Sequence, residues 1–390
     1  MVMYAFVTLS AVILGVVIIG LASPPPDPSP DVLALTGAIS RFSQKLYKAL
    51  AKHVDYKIVY SPFSAHLILS VLYLGARNTT ADQMKSVLQT SSLSNSHEVY
   101  KSLIEYLNTV ARDVVFTKIE AVFSQEDKVL LKYITDVDNY YKFTGNSYAR
   151  LPSRDISSTT IYNPPITFSH KLDFNCTWKS QFNPGNTNRG QFKNKKGYVK
   201  DIDFMNQVGT FGVKLSAAEN VDVVRLPFEN ERFAFYVVLP RTLEDFPSLE
   251  EIVSADNFDD SIFFSGVEEA YVNITVPKFD ISSFQSLDDA LENQGMAVAF
   301  SKESDFSGIR EQPNPIKFVM QLAGIEVSET GANTASMSYV NMGPASSQND
   351  PVKLVADHSF IFYVRDDASR LILLQGKQTD PSKKIFHIDP

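Results

Sequence analysis

The sequence predicts an α+β fold, and three observations carry that reading. Residues 33–112 carry apolar stripes at helical spacing, whereas short β-branched and aromatic runs dominate from residue 198 onward. Helices first and strands later, with strands that must pair across long separations, is the α+β arrangement rather than the alternating α/β one. No Pro/Gly/Ser-rich linker, repeat or low-complexity tract divides the 390 residues, and 44% of them are hydrophobic and 12% aromatic. That is enough apolar material for one large core, so a single domain over 23–390 is expected, although length alone favours two or three.

The elements follow in chain order. Met1 to Ala22 is nearly continuous apolar sequence, ending in Gly20-Leu21-Ala22 ahead of Pro24-Pro25-Pro26. Small residues where a signal peptidase reads, then prolines that forbid helix continuation, give a secretory signal peptide cleaved after Ala22. The alternative is a membrane anchor, because the run approaches spanning length and its start lacks Lys or Arg. Leu35, Ile39, Phe42, Leu46 and Leu50 form one stripe, which predicts a helix over 33–53. A short strand follows at 58–60. Ser61-Pro62-Phe63-Ser64 then caps a second helix that stops at Gly75. Another capped helix starts at Thr80 and runs to Leu88. Residues 97–112 are helical, and a strand is expected at 114–123. Later strands are expected at Val221–Pro227, Phe233–Pro240, 271–279, 316–327, 353–356, 360–365 and 371–377, with helical interludes near 248–259 and 286–295.

Composition narrows the function classes. Net charge is −8 and the pI about 5.4, and the densest basic group is Lys193, Lys195, Lys196 and Lys200. A short charge run of this kind is a solvated turn before it is a polyanion site, so no nucleic-acid partner is expected. The one cysteine, Cys176, excludes an intrachain disulfide and reads as a buried small hydrophobe. Three sequons fit secretion: Asn78-Thr-Thr80, Asn175-Cys-Thr177 and Asn273-Ile-Thr275. The first falls in a turn between helices, and the other two in strand-like sequence. The six histidines show no metal-ligand spacing, and there is no Gly-rich phosphate loop or nucleophile elbow. No metal, cofactor or catalytic activity is therefore expected.

One stretch stands apart. Glu326-Val-Ser-Glu-Thr-Gly-Ala-Asn-Thr-Ala-Ser-Met-Ser338 leads into a polar, turn-rich segment ending near Asp350. It lacks the large side chains of a strand before Tyr339, and it lacks the charge of a disordered linker. Small residues after a glycine suit a loop that must later become a strand inside a crowded sheet.

Further motifs stand in order along the chain. Tyr60-Ser-Pro-Phe-Ser64 is followed by Leu74-Gly-Ala-Arg-Asn-Thr-Thr-Ala-Asp-Gln-Met84. Val276-Pro-Lys-Phe279 is followed by Gly295-Met296, Ala299-Phe300 and Ser304-Asp-Phe-Ser-Gly-Ile309. Ala356-Asp-His-Ser-Phe-Ile-Phe-Tyr-Val-Arg365 precedes Ile372-Leu-Leu-Gln-Gly-Lys377 and Asp380-Pro381. Together with the loop, these motifs resemble the serpins, protease inhibitors that insert their own loop into a β-sheet, over roughly residues 33–381. The resemblance implies three β-sheets with surrounding helices and an exposed reactive loop over about 329–352. It implies a kinetically trapped fold whose loop, once cut by a serine or cysteine protease, enters the main sheet as an added strand and disables the bound enzyme. A monomer without catalytic groups, cofactor or membrane contact after signal removal is expected.

The resemblance also assigns residues. The hinge is Glu329, Gly331, Ala332, Thr334, Ala335 and Ser336, with Gly331 as pivot. Lys278 pairs with Glu329 and, with Trp178, belongs to the top of the sheet, where Trp178 packs as core. The reactive bond is Ala345–Ser346 or lies within three residues of it. Alanine there suits an elastase-like enzyme, and Met342 and Pro344 leave a papain-like one open. No Arg or Lys stands between Glu329 and Ala345, against a trypsin-like target. A polar cluster under the parting strands comprises Ser61, Ser64, His170 and Gln321, and a His170–Gln321 hydrogen bond is expected in it. Ser61 with His170 has no identifiable acid, against a catalytic pair. Asn333, Thr334 and Met337 depart from the small residues usual in inhibitory hinges, which keeps open a non-inhibitory member acting as carrier or decoy. The helix that lies across the main sheet in this family is expected to be missing here. Residues 143–165 carry no helical stripe, are rich in Ser, Thr and Asn, and end in Pro164-Pro165.

Overall fold

Apolar stripes decide the helices. Leu35, Ile39, Phe42, Leu46 and Leu50 are all buried on one side of the first helix, Pro30–His53. The computed structural model describes residues 26–53, 57–111, 115–122, 129–142, 167–174, 176–194, 196–255, 259, 261–311, 315–332 and 350–381. The second helix, Pro62–Gly75, starts where expected: Pro62 stands in its first turn, and the Ser61 hydroxyl accepts the Ser64 N–H at 3.1 Å. Asn95 caps the helix Ser96–Val110 in the same way. The third helix, Asn78–Val87, begins two residues earlier than expected. Thr80 is no cap, because its buried hydroxyl accepts the Asp305 N–H at 2.8 Å and ties the helix to a distant loop. Helix Leu131–Tyr141 was not expected from the sequence; it buries Tyr133, Val137 and Tyr141.

Nine of the described strands form one antiparallel array with a single parallel pair at its end. Its order is Ile58–Tyr60, Leu371–Gln378, Phe360–Asp366, Phe233–Pro240, Val221–Pro227, Val199–Ser216, Glu268–Pro277 and Val352–Val355, with Asn188–Lys193 paired to the start of Val199–Ser216. Phe233–Pro240 and Leu371–Gln378 are buried along their whole lengths, and the first reads as a continuous apolar run. A second sheet joins Phe279–Ser286, Met320–Val327, Gly331–Ala332 and Cys176–Thr177, and Val115–Val122 pairs with Thr167–Phe174. Thr167–Phe174 precedes Cys176–Thr177 in the chain by one residue. Helices, a large antiparallel array and non-local pairing give the α+β class expected.

Two expected strands change shape. The run 271–279 divides at Lys278: Glu268–Pro277 stays in the nine-stranded array, and Phe279–Ser286 starts the second sheet. The Lys278 N–H bonds the Asp203 carbonyl at 2.9 Å, so the crossing residue is held by the neighbouring strand. The run 316–327 is strand only from Met320, because Val319 bonds Leu287 and Asp288 instead of a ladder. The lysine group lies where expected, with Lys193, Lys196 and Lys200 exposed around a turn held by the Asn194 side chain. Among the described residues, no helix is long and apolar enough to cross a membrane. The apolar segment 1–22 lies outside the described residues.

Candidate functional site

The chain reverses at the top of the second sheet. After Met320–Val327, residues Ser328 to Gly331 make a tight turn: the Ser328 N–H bonds the Gly331 carbonyl at 3.0 Å, and the Gly331 N–H bonds the Ser328 carbonyl at 3.3 Å. Gly331–Ala332 then runs back as a two-residue strand. Ala332 lies opposite Val327 on one side and Cys176 on the other, and Gly331 lies opposite Thr177. The hinge is thus already seated between the two central strands. Below this point, residues 320–326 pair only with Phe279–Ser286 among the described residues.

Gly331 fits this place for two reasons. Its φ of +152° is rarely adopted by L-residues, and a Cβ on it would stand 1.9 Å from the Cys176 carbonyl oxygen.

The expected Lys278–Glu329 pair is formed. Lys278 Nζ lies 2.8 Å from one Glu329 oxygen and 3.0 Å from the other. Thr187, which sequence reasoning did not assign, donates its hydroxyl to Glu329 at 2.8 Å. Burial alone would raise the Glu329 carboxyl, but the bonds from Lys278 and Thr187 outweigh it and hold the group below its ordinary range. The Phe182 N–H anchors the Glu329 carbonyl at 2.9 Å. Nothing in the Asn183-Pro-Gly-Asn-Thr187 turn sequence signals a reach to a residue 142 positions away.

Trp178 does more than fill space. It stacks on Phe228 at 4.8 Å and is 2% exposed. Its indole N–H bonds the Ser328 carbonyl at 2.8 Å, and its main-chain N–H bonds the Thr330 carbonyl at 3.0 Å. Both ends of the turn are tied to this one residue. Cys176 is buried beside the hinge, and burial pushes its thiol well above the ordinary range.

Lower in the sheet, Gln321 is buried and its amide bonds both main-chain groups of Ser61: the Ser61 N–H donates to Oε1 at 3.1 Å, and Nε2 donates to the Ser61 carbonyl at 2.8 Å. The expected His170–Gln321 bond is therefore not made, because the Ser61 backbone takes the amide on both sides. His170 stands edge-on to Phe63 at 5.6 Å, with both ring nitrogens buried and without a hydrogen-bond partner among the described residues. Burial drives its imidazole down to about 4. The Ser61 hydroxyl serves the Ser64 cap and makes no bond to His170.

The remaining assigned residues divide. Thr334, Ala335, Ser336, Ala345 and Ser346 lie outside the described residues, as do Asn175 and the whole of 143–166, where the missing helix was expected. Asn78 is exposed and donates to Asp305 at 2.7 Å, whereas Asn273 is half-buried in a strand paired on both sides. Among the described residues, no group of three or more His, Cys, Asp or Glu is placed to hold a metal.

The family model described as Serpin (serine protease inhibitor) matches residues 37–149 and 166–381 and leaves 150–165 unmatched. The human protein Serpin B4 is 23% identical over 389 residues, covering 89% of this chain and all of that one. The crystal structure of human thyroxine-binding globulin complexed with thyroxine superposes with a TM-score of 0.77 at 20% identity, covering 90% of this chain and all of that one. Serpin48 of the insect Tenebrio molitor gives a TM-score of 0.73 at 23% identity, covering 89% and 98%. With a hinge strand seated between two strands of the second sheet, and with a family match over most of its length, this chain belongs to the serpin family.

Proposed function

We propose that the protein is a secreted protease inhibitor that works as a suicide substrate. A protease attacks the loop near Ala345–Ser346, the cut strand enters the sheet from the hinge downward, and the acylated enzyme is carried with it. The observation that carries this reading is the strand Gly331–Ala332 seated at the end of Met320–Val327, whose residues 320–326 have no second strand partner among the described residues. Its register is fixed on both sides. Carried six residues further, that register would set Ser338 opposite both His170 and Gln321. The Ser338 hydroxyl would then meet the imidazole that has no partner among the described residues. Alanine before the bond favours an enzyme with a small pocket, elastase-like or, given Met342 and Pro344, papain-like. Secretion rests on the apolar segment ending at Ala22 and on the exposed sequon at Asn78.

A second reading has its own support. Thr334 and Met337 are bulky for a strand that must slide into a sheet. Thyroxine-binding globulin, one structural neighbour, is described as a complex with thyroxine rather than with a protease. On that reading the protein keeps the fold as a carrier or decoy, and its loop stays out. One experiment separates the two: nick the loop with a broadly specific protease, map the cut and compare thermal midpoints. Insertion predicts a rise of tens of degrees, whereas an unchanged midpoint overturns the inhibitory mechanism.

A further inference from the structure

One strand of the nine-stranded array carries a motif that the inhibitory mechanism leaves unused. In Glu268–Pro277, Val272 and Ile274 are buried, whereas Tyr271, Asn273 and Thr275 are only half-buried. Alternate residues of a strand line one face, so these three stand together on the outer side of the array. They make up the sequon Asn273-Ile-Thr275 with an aromatic residue two positions before it. The neighbouring strands share the face. Val208 lies directly opposite Asn273 and Thr210 opposite Tyr271, while Lys353 lies opposite Asn273 on the other side. Val208 is 48% exposed although apolar, and Thr210 and Lys353 are exposed as well. The Asn273 amide makes no hydrogen bond among the described residues and is not buried without one, so it faces solvent. Asn78, by contrast, commits its amide to Asp305.

A glycan on a strand residue needs an outward side chain and nothing more, because it is attached to the amide and leaves the backbone ladder intact. Its first sugar would stand over Asn273, within reach of two apolar surfaces. Tyr271 is the diagonal neighbour of Val208 across the ladder, a spacing of roughly 7–8 Å that aromatic side chains bridge. The C–H-bearing face of a sugar ring is drawn to the negative face of an aromatic ring, and covering Val208 removes apolar area from water. Thr275, the third residue of the sequon, donates its hydroxyl to Asn206 at 2.7 Å, a bond between strands that forms only once they have paired. The position also bears on the loop. Val352–Val355 follows the reactive loop and runs parallel to Glu268–Pro277. Adjacent strands lie about 4.8 Å apart, so a bulky group on Asn273 stands beside the segment where the loop rejoins the array.

We propose that Asn273 carries an N-linked glycan whose first sugar is seated on Tyr271 and Val208 and whose bulk shields the place where the loop rejoins the array. In the transfer, Asn273 Nδ2 bonds to the anomeric carbon of a lipid diphosphate oligosaccharide. The bond from that carbon to the phosphate oxygen breaks, the lipid diphosphate leaves, and one Nδ2 proton is released. The assignment rests on the reading of the chain as secreted. The full chain is produced in a secretory insect-cell host, and occupancy at Asn273 and Asn78 is mapped by peptide mass spectrometry after peptide N-glycosidase treatment in heavy-oxygen water. Modification of Asn273 is expected. Its absence overturns the assignment, and the state of Asn78 together with arrival in the medium then tells whether the secreted reading falls with it. Seating is read on the folded protein. Trimming the glycan to one sugar is expected to leave the thermal midpoint unchanged, and complete removal to lower it by about 1–2 °C. In Tyr271→Ala that second fall is expected to vanish, and an undiminished fall refutes the platform. Asn273→Gln, which loses no hydrogen bond, is expected to be nicked in the loop several-fold faster by papain than the glycosylated protein, and equal rates refute the shielding.

Discussion

A methyl group at Gly331 meets the Cys176 carbonyl on the far strand, so glycine is set there by space as well as by backbone angle. Gly331→Ala forces residues 331–332 out from between the strands. The intact protein is expected to lose no more than about 1–3 kcal/mol, because the two residues can withdraw. The larger effect falls on the cut protein, whose gain in thermal midpoint is expected to shrink; an undiminished gain would refute the pivot. This position was legible in the sequence, since a glycine between an acid and a run of small residues points to a hinge. Thr187 was not, because a hydroxyl in a turn carries no mark of the carboxylate it will meet. His170 was legible as polar and buried but not in its bonding, since nothing in the sequence says that the Ser61 backbone will claim both sides of the Gln321 amide.

Strands and helices differ in how plainly they announce themselves. Val221–Pro227 and Phe233–Pro240 lie at their expected bounds because both are rich in β-branched and aromatic residues and pair on both edges. Val199–Ser216 was missed as one element. Its 18 residues mix Lys, Asp, Asn and Gln with apolar positions, and its burial alternates only in part. The division at Lys278 was also hidden, since a chain crossing between sheets keeps the strand pattern on both sides of the crossing. Met320–Val327 is the element that joins these layers. Its alternate residues Gln321, Ala323, Ile325 and Val327 are buried, and Gln321 fastens it to the start of the second helix. Gln321→Leu leaves the Ser61 N–H buried without a partner. A cost of about 1–3 kcal/mol is expected, read as a lower thermal midpoint of the intact chain. A midpoint equal to that of the native protein would mean that this tie does not hold the strand.

Across the molecule, one buried histidine and two half-buried ones give the fold a common response to acid. His66, His97 and His170 are each lowered to about 4 from an ordinary 6.5, in every case chiefly by burial. The unfolded chain takes up these protons near pH 6.5 and the native chain only near 4, so stability falls as pH drops through that window. Each shift corresponds to about 3 kcal/mol at most. The thermal midpoint is expected to decline between pH 6.5 and 5, before carboxylates of ordinary value begin to titrate. His170→Asn is expected to shallow that decline, and a midpoint flat from pH 7 to 5 would contradict the assignment. The family and the α+β class were readable from motif order and apolar pattern. The seated hinge was not, because it joins residues more than a hundred positions apart.

The molecule also reports on itself optically. Trp178 is the only tryptophan, it lies flat on Phe228, and its indole N–H is bound to the Ser328 carbonyl at the turn. All indole emission therefore originates at the hinge, from a dry and apolar setting. Any event that moves Ser328 releases that N–H and alters the colour and yield of the light, so passage of the loop can be followed in real time without a dye.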